Sequence, residues 1–164
     1  MANNKVIDIS IDNIEKQELR INGRDDCIIH LNLSDMGIFE RLQTGYEQLE
    51  AFSDEAARVP VDDKDLIKKI NTIDKKMREV MDYIFDDDIS GACCKYGTML
   101  DPINGMYRFE YIIDKLTSLY ENNINEEYQK MKNRVNKVAA AYIPQDHKKK
   151  QVKEKPNLIE DNDE

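Results

Sequence analysis

Tryptophan is absent from this chain of 164 residues, and histidine occurs only twice and cysteine three times. With no Trp, and with charged residues at 35% against 40% hydrophobic, a modest core and a heavily solvated surface are expected, a balance that suits a helical protein. Positive charge is also in deficit. Lys and Arg number 24 against 33 Asp and Glu, leaving a formal net charge of -9. That charge argues against a DNA or RNA partner, because phosphate-backbone binding draws its affinity from Lys and Arg displacing counterions. Long hydrophobic runs are missing too: the longest, Val138 to Ile143, is six residues, far short of a bilayer span. The opening MANNKVIDIS has neither the basic region nor the apolar stretch of a signal peptide, so a soluble cytoplasmic protein is expected. Cys27, Cys93 and Cys94 cannot all pair, and the adjacent two strain badly if bridged to each other, so reduced thiols are expected.

What is present divides by period. Val6, Ile7, Ile9 and Ile11 interleave with Asp8, Ser10 and Asp12, and the style repeats at Leu19 to Ile21 and Ile28 to Leu33, which predicts β-structure. Asn22-Gly23 between the last two is a turn that reaches positive φ cheaply. A hairpin over 5–33 with two or three strands is expected. After Leu33 the period lengthens. A cap at Ser34 or Asp35 opens a helix carrying Met36, Phe39, Leu42, Tyr46 and Leu49 and ending near Phe52. Past Pro60, Asp62-Asp63 opens a second helix with Leu66, Ile70, Ile73, Met77, Val80 and Ile84 on one face.

From Gly105 a third helical stretch carries Phe109, Ile113, Leu116 and Tyr120 on one face. Asn123 to Glu126 has capping-box spacing, which offers a break and restart, with one continuous helix as the alternative. Ile124, Tyr128, Met131, Val135, Val138 and Tyr142 then alternate spacings of four and three, the pattern of a helix packed along another helix. The stripe is read first as core and second as an exposed partner surface, and it is too short for a free coiled coil to be claimed from the sequence alone. Pro144 ends the order. The tail 144–164 is of mixed charge, with a basic block at Lys148, Lys149 and Lys150, and is expected to be disordered. The fold class predicted is α+β: an N-terminal antiparallel β-hairpin, then a mainly helical bundle of three to five helices in a single domain over 1–143 (helical part 34–143), then the tail.

The stretch FDDDISGACCKYG, Phe85 to Gly97, is the one place that looks like chemistry. Read as a calcium loop, it places Asp86, Asp88, Ser90 and Gly91 at positions one, three, five and six, but Gly97 stands where a bidentate Glu is needed at twelve. Cys93 and Cys94 diverge by about 100° on a helix, which does not suit a zinc pair. The flanking carboxylates oppose a depressed thiol pKa. Neither catalysis nor a cofactor or metal is expected. A helix stop, cap and restart explains the stretch better: carboxylates cap the new amides, Ile89, Ala92 and Cys93 face inward, and Gly97 is the left-handed stop.

INGRDDCIIHLNLSD passing directly into a helix at IFERL, then a helix ending MDYIFDDDISGACCKYG, then a long terminal helix, resembles the tail assembly chaperones of long-tailed phages of Gram-positive bacteria. The likeness runs over residues 19 to 120, with Ile21 to Asp35 and Ile84 to Gly97 as its landmarks. Asp86 stands where that turn often carries glycine after the Phe. The resemblance implies a non-enzymatic assembly factor of the host cytoplasm. Such a factor coats the helical tape-measure protein, helps recruit tail-tube subunits and is absent from the mature virion. It also implies a longer form made by frameshifting, for which a run encoding Lys148 to Lys150 would be the slippery site. A structural component of the virion and a calcium-responsive helical module are the alternatives. Partner contacts are expected at Ile124, Tyr128, Met131, Val135, Val138, Tyr142, Lys148, Lys149 and Lys150.

Overall fold

Alternation decides the first element. Cys27, Ile29, Leu31 and Leu33 are all buried, so one face of this stretch belongs to the core and its register cannot slip by one residue without exposing the set. A computed structural model describes residues 6–11 and 15–142. β1 (Gln17–Arg20) pairs antiparallel with β2 (Ile28–Leu31), Gln17 opposite Leu31 and Arg20 opposite Ile28. Asn22 and Gly23 both adopt positive φ, 54° and 67°, and the Arg24 amide donates to the Ile21 carbonyl at 3.1 Å, as a tight hairpin turn requires. The hairpin has two strands. Val6, Ile7, Ile9 and Ile11 form no strand and are exposed, so of the two or three strands expected there are two: apolar alternation supplies a face but not a neighbour to pair with.

Among the described residues four helices follow, so the architecture is α+β. α1 (Ile38–Ala57) starts later than expected and runs past Phe52. The Asp35 carboxylate accepts from the Gly37 amide at 2.8 Å and from Arg41 at 2.6 Å, so it holds a turn ahead of the helix instead of capping its first amides. Leu49 is buried and Leu42 and Tyr46 pack against the core as expected, joined by Ile38, Gly45 and Ser53, while Met36, now ahead of the helix, and Phe39 are exposed. α2 (Leu66–Phe85) buries Ile73, Met77, Met81 and Ile84. Arg41 Nε donates to the Ile84 carbonyl at 2.8 Å, and the Lys76 ammonium lies 5.7 Å from the centre of the Phe52 ring. Between these contacts, Gly45 faces Val80 and Ile84, so the two helices run antiparallel. A Cβ on Gly45 would sit 2.5 Å from Ile84, which explains a residue that otherwise weakens a helix interior.

α2 ends on Asp86, which is left-handed at φ 53°, ψ 42°. Glycine adopts this conformation without the Cβ penalty. Asp86→Gly is therefore expected to stabilise the protein by roughly 0.5–1 kcal/mol, read as a higher urea midpoint at unchanged slope; the exposed Lys16 contact at 4.0 Å is too weak to offset it. α3 (Ile89–Cys93) restarts at once. Asp88 caps it by accepting from the Gly91 amide at 2.9 Å, and Asp82 accepts from both the amide and the hydroxyl of Ser90 at 2.7 and 2.8 Å. The stop, cap and restart is thus present, with two adjustments: Cys94 is the fully buried cysteine and Cys93 only half-buried, and the helix ends before Gly97. Gly97 sits in the following turn at φ 99°, where a Cβ would collide with Asp101.

A second, very short hairpin went unpredicted: β3 (Pro102–Ile103) and β4 (Met106–Tyr107), turned by Asn104 and Gly105 at φ 52° and 80°. α4 (Arg108–Tyr142) begins directly after it and continues without a break through Asn123. The Asn123 side chain does not cap a new helix; its amide donates to the Ser34 hydroxyl at 3.2 Å. Along the chain two units are distinguished, Met1–Ile124 and Asn125–Glu164. The expected tail, 144–164, lies outside the described residues.

Candidate partner-binding surface

α4 changes character along its length. Phe109, Ile112, Leu116 and Tyr120 are buried in the core of the first unit, with Ile112 taking the place expected for Ile113, which is half-buried. Ile124 is also half-buried and packs against that core. It belongs there, not with the stripe that follows.

Beyond it every residue from Asn125 to Ala141 is exposed, including the apolar ones: Tyr128 at 64%, Met131 at 55%, Val135 at 65% and Val138 at 50%. This overturns the first reading of the stripe as core. Residues 108–142 contain neither Gly nor Pro, and half of residues 125–142 are Ala, Lys, Glu or Gln, strong helix formers, so the helix persists although these side chains are exposed. The four residues alternate three, four and three along one face, the a and d positions of a heptad. At the flanking e and g positions stand Lys132, Ala139, Glu127 and Arg134. Glu127 accepts from Lys130 at 2.7 Å within the helix, a solvated contact of small weight. Tyr142 ends the helix, and Lys148, Lys149 and Lys150 lie outside the described residues.

The acidic stretch has structural work for its carboxylates, as the capping contacts above show, and Asp87 accepts from the His30 amide on β2. Burial pushes the Cys93 thiol up to about 12 and raises that of Cys94 as well, so both are protonated near neutral pH and poor nucleophiles. Among the described residues no three His, Cys, Asp or Glu side chains are grouped to hold a metal ion, and no helix is long and apolar enough to cross a membrane. The exposed apolar face of α4 presents side chains at heptad spacing, the spacing at which one amphipathic helix lies along another.

No family model, no curated protein and no solved structure matches this chain.

Proposed function

We propose that this chain is a non-enzymatic phage tail assembly chaperone that binds the tape-measure protein and helps recruit tail-tube subunits. It would act in the host cytoplasm and be left out of the mature virion. The observation that supports this reading is the uncovered heptad face of α4, Tyr128, Met131, Val135 and Val138. A tape-measure protein is a long helix with repeating apolar faces, and the geometry that pairs with such a face is another helix of the same period.

Magnitudes fit a coat better than a one-to-one complex. Covering four large side chains yields roughly 5–10 kcal/mol gross, and association alone costs about 4–15 kcal/mol. A single chain would hold weakly; many copies along one helix would hold well if they also touch one another or share a second partner.

The test is capture from phage-producing cells with the tagged full chain, set beside the double substitution Met131→Glu, Val135→Glu. The wild-type chain is expected to retain a phage-encoded protein that mass spectrometry identifies as long and heptad-bearing, and the variant to retain at least tenfold less. Because both positions are exposed, thermal unfolding of the variant should match the wild type within about 0.5 kcal/mol. Equal capture by the two chains, or abundant chain in purified particles, would defeat the proposal; the second result would make the protein a virion component.

A further inference from the structure

We infer that the uncovered face of α4 pairs with the same face of a second copy of this chain, in parallel and in register. The inference rests on the heptad and its charges and stands independently of the phage reading. Layers at Tyr128, Met131, Val135 and Val138 can be matched to a second copy in either direction, and the rim decides between them.

In a parallel pair, a g residue faces the e residue five positions on in the partner. Glu127 then meets Lys132 of the second copy, twice by symmetry, and Arg134 meets Ala139, so attraction is gained and no like charges are opposed. In an antiparallel pair, e faces e and g faces g. The register that stacks Met131 on Val135 and Tyr128 on Val138 sets Lys132 against Lys132 and Arg134 against Arg134, repulsive at the centre on both sides. Within each helix Glu127 already contacts Lys130, but that pair is exposed and gives way at little cost.

Two heptads make a weak dimer. Its consequence is competition: the face that would receive a helix is shielded while copies are concentrated, and freed by dilution or by a partner that binds it better.

Sedimentation equilibrium on the purified full chain, over a wide concentration range at low salt, tests the inference with no other protein present. The wild type is expected to show a concentration-dependent monomer–dimer equilibrium. Lys132→Glu should raise the dissociation constant roughly tenfold, since both symmetric pairs turn from attraction to repulsion. Adding Glu127→Lys to it should restore most of the loss. A chain that stays monomeric at millimolar concentration overturns the inference, and so does a Lys132→Glu variant that pairs more tightly or equally well; equal pairing is the antiparallel signature, because like charges then oppose each other at position 132 before and after the change. Either result leaves the capture experiment untouched, and failure of capture leaves this one standing.

Discussion

Replacing Asp74 with Ala is expected to cost about 3 kcal/mol, a large share of the 5–15 kcal/mol that holds an ordinary domain together. Asp74 is buried on α2. One carboxylate oxygen accepts from the Met99 amide at 2.6 Å and the other from Arg78 Nε at 2.7 Å. The same guanidinium donates to the Cys94 carbonyl at 2.9 Å and the Gly97 carbonyl at 2.7 Å. With Ala at 74, the Met99 amide is left buried with no acceptor, worth about 1–3 kcal/mol, and the Arg78 charge loses its anion. Arg78 keeps some contact with solvent, its side chain being 26% exposed, which holds the total below that of a fully buried pair. Asp74→Asn retains an acceptor for Met99 and should cost about half as much. Urea unfolding measures both, and a change below about 1 kcal/mol for Ala at an unchanged slope would refute the assignment. The effect reaches α4, because the Met99 carbonyl accepts from the Phe109 amide at 3.0 Å and the Asp101 carbonyl from the Arg108 amide at 2.8 Å. The Asp74–Arg78 pair thus fixes the turn from which the terminal helix is launched.

None of that network is legible in the sequence. Asp74 and Arg78 stand four apart, a spacing common to exposed helix pairs, and the carbonyls that complete the network come from Cys94 and Gly97, far along the chain. Features that depend on local chemistry are legible: the Asn22-Gly23 turn, the α2 stripe through Ile73, Met77 and Ile84, and the cap at Asp88. Helix starts are less secure. Leu42, Tyr46 and Leu49 face inward as the period requires, but Met36 falls ahead of α1, in the turn where Asp35 spends its carboxylate on Gly37 and Arg41. The second hairpin carried a signal, Asn104-Gly105, but strands of two residues have no period to detect. The candidate surface was legible as a pattern and not as a surface. Periodicity states which residues share a face; whether the rest of the chain covers that face is a tertiary matter.

α4 itself supplies the sharpest check of that distinction, because one helix carries two stripes of similar period and opposite fate. Phe109→Ala is expected to cost about 3–5 kcal/mol. Its ring is fully buried, stacked on Tyr107 with centroids 5.8 Å apart and tilted against Tyr46 at 6.3 Å, so truncation opens a cavity between α1 and the start of α4 that rigid neighbours cannot close. Val135→Ala removes an apolar side chain from the same helix, yet that side chain is exposed and Ala is the better helix former, so stability should stay within about 0.5 kcal/mol or rise slightly. Chemical denaturation of the two variants side by side separates the cases. If Val135→Ala destabilised the isolated protein at low concentration as Phe109→Ala does, its stripe would belong to the core of the folded chain and could not be the surface offered to a partner. With Phe109 costly and Val135 neutral, the first half of α4 is the anchor and the second half is what it presents.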